Sequence, residues 1–193
     1  MIWFYLIAAA IVVLDQITKW AAVRYIMPSG TIPLIDGVLH FTYVENTGAA
    51  FGMMTDARWI FMITSVAAIA VLTVLIAKYA SGYKFAVLCV TFILGGGVGN
   101  MIDRVRIGYV IDFIDFRLIN FAVFNVADSF VTVGAAMLIA YLVREMILDA
   151  KRPKTGASSE AIEESESVAS DETTDASSSD TEESGVTDGD RNG

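Results

Sequence analysis

The sequence predicts an all-α membrane protein with four transmembrane helices and a small extracytoplasmic β element in the first outer loop. Hydrophobic residues make up 55% of the 193 residues and charged residues only 18%. Soluble domains are about 45–50% apolar and about 25% charged. Four apolar stretches are each about long enough to cross a bilayer. Between the first two, residues 38–44 are β-branched and aromatic, which is typical of a strand.

The chain divides into two parts of different composition. Residues 1–150 hold a membrane domain with spans at about residues 1–22, 59–77, 85–104 and 127–148. Residues 151–193 form an acidic tail rich in serine and threonine, which we expect to be disordered and cytoplasmic. Twelve acids and one base give residues 155–193 a net charge of −11, so the rest of the chain carries +2 of the total of −9. The acidic balance therefore says nothing about partners of the membrane domain.

The first span carries two opposite charges toward one end. Asp15 and Lys19 are four residues apart, so they share a helix face and can pair. Mutual neutralisation would explain them, but ionisable residues inside a span are functional candidates by default. The stretch begins almost at Met1 without a basic leader or a small-residue cleavage site. We expect a retained helix rather than a signal peptide.

The third span ends in a polar group of residues. Gly96, Asn100 and Asp103 are spaced by four and three residues, so they share one helix face, and Arg104 follows them. The glycines in this span permit close helix packing.

The second long loop, residues 105–126, and the start of the fourth span carry further polar residues. Asp112 and Asp115 alternate with large apolar residues in the loop. Asn125 and Asp128 both suit the N-cap of the fourth helix, so capping is an alternative role for either.

The positive-inside rule brings these polar residues to one depth. Basic residues cluster in the short connector after the second span and directly after the fourth: Lys78, Lys84, Lys151, Arg152 and Lys154. Both termini are then cytoplasmic and both long loops are outside. The polar ends of spans one, three and four meet near the outer leaflet. A shared site explains this better than separate structural charges, because each buried ion needs a partner.

Histidine, cysteine and metal chemistry have little support. His40 and Cys89 are the single residues of their types, and a loop histidine and a core cysteine are the simpler interpretations. No zinc-ligand pattern or phosphate-binding glycine motif occurs, so we predict no metal and no cofactor.

The acid–base groups that remain are aspartates. When two carboxylates share a site, one keeps a proton while the other can take one from water. Asp15 and Asp103 each have a basic residue nearby in sequence, whereas Asp112 and Asp128 have none within four residues. Elimination alone favours the last two as the pair. A small transporter or channel and an assembly protein with a structural polar cluster remain alternatives.

Five motifs in order resemble the bacterial lipoprotein signal peptidases (signal peptidase II, prolipoprotein signal peptidase). They run through residues 1–150, and the tail lies outside the pattern. The motifs are Asp15-Gln16-x-x-Lys19, Asn46-x-Gly48-Ala49-Ala50-Phe51, Gly96-x-x-Gly99-Asn100-x-Ile102-Asp103-Arg104, Val110-x-Asp112-Phe113 and Phe124-Asn125-x-Ala127-Asp128.

The resemblance implies an intramembrane aspartic-type endopeptidase of the bacterial cytoplasmic membrane, with its active site near the outer leaflet. Such enzymes remove signal peptides from diacylglyceryl-modified prolipoproteins, cutting just before the lipidated cysteine by carboxylate-activated water. The catalytic pair maps onto Asp112 and Asp128. The substrate-binding or supporting candidates in the same motifs are Asp15, Lys19, Asn46, Gly48, Asn100, Asp103, Arg104 and Asn125. The expected partners are these signal peptides and membrane lipids, not nucleic acid, and the expected state is a monomer.

Overall fold

The computed structural model describes residues 1–48 and 58–151. Its long helices are α1 (Ile2–Ala21), α2 (Arg58–Tyr79), α3 (Lys84–Arg106) and α4 (Val126–Lys151). Within the described ranges these four helices are long and apolar enough to cross a membrane, which confirms the predicted mostly helical fold with four candidate membrane helices. The prediction for the tail falls almost wholly on residues 152–193, outside the described ranges.

A three-stranded antiparallel sheet accompanies the helices, in the order β1 (Thr31–Ile35), β2 (Leu39–Asn46), β3 (Val110–Phe116). The prediction of a β element in the first loop alone was incomplete, because β3 comes from the second loop. Two aspartates interrupt the apolar residues of β3 and mask its strand signal. An isolated hairpin is marginally stable, and β3 supplies the third strand by pairing along β2 from Leu39↔Phe116 to Asn46↔Val110.

The sheet packs against the end of α1. Beyond Ala21 the chain continues as a π-helical turn (Ala22–Ile26). Ala22 and Ile26 form an apolar cluster with Ile111 and Phe113 of β3. This contact fixes the position of β3 relative to the polar end of α1.

Glycines on α3 let the neighbouring helices approach its backbone. A Cβ added at Gly99 would lie 2.6 Å from Asp15 Oδ2 on α1, and one at Gly96 would overlap the carbonyl oxygen of Ala127 on α4. Only residues without a side chain permit such contact. The three helices therefore meet closely where their polar residues lie.

Away from this crossing the helices are apolar. Ala8, Ile76 and Leu94 belong to a cluster between α1, α2 and α3. Large apolar side chains also cover the outer surfaces, as at Ile63 (67% exposed) and Ile139 (62% exposed). Such surfaces suit a lipid environment.

Candidate active site

Lys19 is the centre of a buried ion cluster. Its Nζ lies 2.9 Å from Asp15 Oδ2 and 2.8 Å from Asp103 Oδ2, and it donates to Asn100 Oδ1 at 2.7 Å. Lys19 is 2% exposed and Asp15 is fully buried. The ammonium group has three donors, and each has an acceptor. A buried cation held in this way joins α1 to α3.

The two carboxylates of this cluster also hold backbone amides. Asp15 Oδ1 accepts from the Ala127 N–H at 3.0 Å, and Asp103 Oδ2 accepts from the Ile111 N–H at 3.2 Å. The Ala127 amide lies in the first turn of α4 and has no acceptor within its own helix. The ion cluster therefore fixes the start of α4 and the strand β3.

Gln16 belongs to the same network, although it was not among the candidate residues. Its Nε2 donates to Asp103 Oδ1 at 3.0 Å, and contacts Gly99 O at 3.2 Å and Asp15 Oδ2 at 3.3 Å. Gln16 was not predicted because its side chain is an uncharged amide, and the candidates in this span were charged residues. Its place inside the Asp15-Gln16-x-x-Lys19 motif was the available signal.

Asn125 caps α4 and binds Asp128 in both directions. Asn125 Oδ1 accepts from the Asp128 N–H at 2.9 Å, and Asp128 Oδ2 accepts from the Asn125 N–H at 3.2 Å. This is the geometry of a capping box. The Asp128 side chain is thereby fixed at the beginning of α4.

Asp112 lies on β3 between two asparagines. Its Oδ1 accepts from Asn125 Nδ2 at 2.7 Å and its Oδ2 accepts from Asn46 Nδ2 at 2.8 Å. Only 1% of the residue is exposed. Burial raises the pKa of Asp112 to about 6; the Asn46 hydrogen bond opposes that rise and the charge of Asp128 adds to it.

Asn100 connects the ion cluster to both aspartates. Its Oδ1 accepts from Lys19 and from Asn125 Nδ2 at 3.0 Å, and its Nδ2 donates to Asp128 Oδ1 at 2.7 Å. Asp112 and Asp128 thus share Asn125 as a direct partner, and Asn100 holds both Asp128 and Asn125. The structure brings together residues from α1, β2, α3, β3 and α4.

Asp128 also borders an open apolar cavity of about 360 Å³. Phe121, Phe124 and Val133 are among its lining residues. Asp128 is half-buried, whereas Asp112 is buried. The two carboxylates therefore sit in different environments, one enclosed by asparagines and the other facing an apolar space.

Two candidates lie at the margin of the network. The Gly48 N–H donates to Asn46 Oδ1 at 2.8 Å, which orients the Asn46 amide toward Asp112. Ala49, Ala50 and Phe51 of the same motif are outside the described residues. Arg104 Nη1 reaches the Asn100 carbonyl oxygen only at 3.5 Å and has no carboxylate partner in the described ranges.

Asp115 is separate from this network. Its Oδ2 accepts from Thr42 Oγ1 at 2.7 Å and from Arg117 Nε at 2.9 Å. These two hydrogen bonds lower the pKa of Asp115 below its usual value. Asp115 is a neighbouring carboxylate whose contacts are confined to the sheet and the segment that follows it.

His40 and Cys89 are buried in secondary-structure elements and are not part of this network. His40 is buried in β2, not in a loop as predicted, and its Nε2 accepts from the Gly37 N–H at 3.2 Å. Cys89 is buried within α3. Among residues 1–48 and 58–151, no group of three His, Cys, Asp or Glu side chains is placed to hold a metal ion.

The family model for Signal peptidase (SPase) II matches residues 7–144. The chain belongs to the signal peptidase II family. It is 44% identical over 152 residues to a lipoprotein signal peptidase of Brevibacillus brevis, a match that covers 78% of this chain and 98% of the relative. It is 48% identical over 139 residues to one of Caldanaerobacter subterraneus subsp. tengcongensis, which covers 71% of this chain and 92% of the relative.

Two solved structures are similar to this chain in fold. A bacterial membrane enzyme solved by the in meso method at 2.3 Å resolution superposes with a TM-score of 0.68 at 32% identity, over 78% of this chain and 92% of that one. A second such structure, at 1.9 Å resolution, gives a TM-score of 0.67 at 32% identity, over 72% of this chain and 91% of that one.

Membership in the signal peptidase II family implies a protease that removes signal peptides from prolipoproteins. With its four apolar helices, the chain is a multi-pass bacterial membrane protein. The family assignment decides against the transporter and the purely structural alternatives.

Proposed function

We propose that this signal peptidase II family member is an aspartic-type endopeptidase in which Asp112 and Asp128 activate water. The observation that carries the proposal is the shared partner Asn125, which donates to Asp112 and caps α4 together with Asp128. The charge of Asp128 also raises the pKa of Asp112, so the two carboxylates interact and titrate as a pair. Asp103, by contrast, is paired with Lys19, and Asp115 with Arg117.

The different surroundings of the two carboxylates support a division of roles. Asp112 is buried and has its pKa raised to about 6, so it is suited to keep the shared proton and donate it to the scissile carbonyl oxygen. Asp128 faces the apolar cavity and is suited to take a proton from water. The water oxygen then bonds to the carbonyl carbon, and the amide nitrogen leaves with a proton from the pair.

The supporting residues keep this pair in place. Asn46 and Asn125 hold the two oxygens of Asp112, and Asn100 holds Asp128. Asp15, Lys19 and Asp103 anchor the helices that carry them. Arg104 has no carboxylate partner among the described residues, and we assign its guanidinium to a carbonyl oxygen of the substrate backbone.

The proposed substrate is a prolipoprotein whose cysteine carries a diacylglyceryl group, and cleavage occurs just before that cysteine. The apolar cavity beside Asp128 accommodates the residues around the scissile bond. The acyl chains stay in the lipid next to α4, whose outer surface is apolar, as at Ile139. Because lipid provides part of the binding, a small enzyme needs no deep pocket.

The proposed orientation places both termini in the cytoplasm and the aspartate pair near the outer leaflet. Lys78 and Lys84 flank the short connector between α2 and α3, at the opposite end of the helices from Asp103 and Asp128. The positive-inside rule assigns such a connector to the cytoplasm.

The test is cleavage of two matched precursors by the purified protein in detergent. One precursor carries the diacylglyceryl cysteine, and the other has the same sequence with an unmodified cysteine. We expect product only, or at least about a hundredfold faster, from the lipidated precursor, with the new N-terminus at the lipidated cysteine. Equal cleavage of both precursors would contradict the proposed substrate, and no cleavage of either would contradict the proposed activity.

A further inference from the structure

A second cavity opens on the other side of β3 from Asp112. It has a volume of about 340 Å³ and lies between the ends of α1 and α3 and the sheet. Ile111 lines it, whereas the side chain of the next residue, Asp112, is held by Asn46 and Asn125. Successive residues of a strand point to opposite faces. The cavity is therefore distinct from the space beside Asp128.

One unpaired positive charge stands at this cavity. The charged residues that line it are Lys19, Asp103 and Arg106. Lys19 and Asp103 are paired with each other at 2.8 Å in its floor. The Arg106 side chain is exposed and forms no ion pair or hydrogen bond with any residue in the described ranges. The lining thus carries a net charge of +1, and Arg106 supplies it.

The rim of the cavity has the composition of a membrane interface. Trp20 lines the rim and is 62% exposed, and its ring lies 6.2 Å from that of Tyr25, also 62% exposed. Tryptophan and tyrosine are enriched where hydrocarbon meets headgroups. Val23 and Met27 continue the rim along the exposed side of the turn that follows α1. The opening is therefore continuous with the lipid-facing surface of the first span.

We propose that this cavity binds one anionic phospholipid. Its phosphate accepts hydrogen bonds from the Arg106 guanidinium, which presents several donors in a geometry that suits phosphate. Its glycerol and acyl chains lie along Trp20, Val23 and Met27. A bound lipid would contact the cavity floor made by the Lys19–Asp103 pair without entering the space beside Asp128.

The test is native mass spectrometry of the full chain in neutral detergent, titrated with phosphatidylglycerol or phosphatidylcholine. We expect one tightly bound phosphatidylglycerol and weaker binding of phosphatidylcholine. Arg106→Gln should bind phosphatidylglycerol about tenfold more weakly, the loss expected for one charge-assisted partner. Arg106→Lys should retain part of the binding because it keeps the charge.

Arg24→Gln is the matched control. Arg24 is an exposed arginine on the π-helical turn at the same end of α1, and it does not line the cavity. This variant should bind phosphatidylglycerol like the wild type. Both variants should unfold at the wild-type temperature, because neither side chain forms a hydrogen bond or ion pair with any of the described residues.

Three results would overturn the proposal. They are equal binding of the two lipids, unchanged binding by Arg106→Gln, and displacement of the lipid by millimolar inorganic phosphate, which would indicate a site for free phosphate. Lipid binding is measured without substrate. A failure here is therefore distinguishable from a failure of the peptidase assignment.

Discussion

Asn125 and Asp128 exchange hydrogen bonds at the start of α4, from side chain to backbone in both directions. The sequence offered capping and catalysis as competing explanations of Asp128. In the structure Oδ2 completes the capping box while Oδ1 is held by Asn100, so capping is compatible with the proposed catalytic role of Asp128. A cap that also orients a carboxylate gives Asp128 a fixed direction without a partner of opposite charge.

Removing the Asn125 side chain should therefore affect both stability and cleavage. Asn125→Ala loses the cap of α4 and the hydrogen bond to Asp112 Oδ1. We expect about 1–2 kcal/mol of lost stability, as for other N-cap residues. Misplacement of the aspartates should lower kcat about a hundredfold. Thermal unfolding in detergent and the precursor-cleavage assay measure the two effects.

A second asparagine in the same loop provides the control. Asn120 has φ 48°, in the left-handed region, so Asn120→Gly fits its backbone without strain. This variant should keep wild-type activity. If Asn125→Ala loses stability but keeps wild-type kcat, Asn125 acts only as a cap.

Two adjacent glycines on α3 should respond in opposite ways to alanine. A Cβ at Gly96 overlaps the Ala127 carbonyl oxygen, whereas a Cβ at Gly97 meets nothing closer than Ile69 Cγ1 at 4.0 Å. Gly96→Ala should cost about 1–3 kcal/mol, as overpacking usually does. Gly97→Ala should be neutral or stabilising by up to about 1 kcal/mol, because alanine favours helix. Equal unfolding temperatures of the two variants would contradict the close approach of α3 and α4.

The raised pKa of Asp112 predicts a pH dependence of stability. The folded pKa of about 6 exceeds the ordinary value of 3.8. Between these values the folded protein binds more protons than the unfolded protein, so this contribution to stability is full below about pH 4 and is lost as pH rises to about 6. Asp112→Asn removes the titrating group, so its stability should lack this pH-dependent contribution.

The measurement is the difference in unfolding temperature between wild type and Asp112→Asn from pH 4 to pH 7. The unfolding temperature of Asp112→Asn should rise relative to that of the wild type as pH rises through this window. Asp115→Asn should show no such rise in this window, because two hydrogen bonds lower the pKa of Asp115 and its contribution to stability therefore changes only below about pH 4. A difference for Asp112→Asn that stays constant with pH would show that its pKa is not raised.

Loss of the buried ammonium should be strongly destabilising. Lys19→Met leaves Asp15 and Asp103 together without the cation that both contact. Removing one partner of a buried ion cluster costs about 3–5 kcal/mol. Lys84→Met, at the exposed start of α3, is the control and should unfold like the wild type. A small effect of Lys19→Met would mean that the cluster is solvated in the folded protein.

Much of the fold followed from the sequence because its signals were local. Four long apolar runs predict helices without knowledge of the rest of the chain, and the β-branched run at residues 38–44 predicts β2. The strand β3 was missed because its identity depends on partners far away in sequence. Asp112 and Asp115 break its apolar pattern. The strand is identified only by its pairing with β2 and by the packing of Ile111 and Phe113 on Ala22 and Ile26.

The candidate site, like the fold, could be predicted from the sequence only in part. Motif order marked the residues that meet in the network, including Asn100 and Asn125. The hydrogen bonds between these residues could not be predicted from the sequence, because they join different elements. For example, Asp15 accepts from the amide of Ala127, 112 residues away. Gln16 was overlooked for the same reason, since an uncharged amide in a helix looks ordinary until its three acceptors are seen.

The most direct test of the proposed aspartate pair is cleavage of a purified diacylglyceryl prolipoprotein by wild type, Asp112→Asn, Asp128→Asn and Asp115→Asn, each shown to be folded by its thermal unfolding. We predict that the wild type and Asp115→Asn cleave at similar rates, and that Asp112→Asn and Asp128→Asn form no product. Substantial cleavage by either of the last two folded variants would contradict the assignment of the pair.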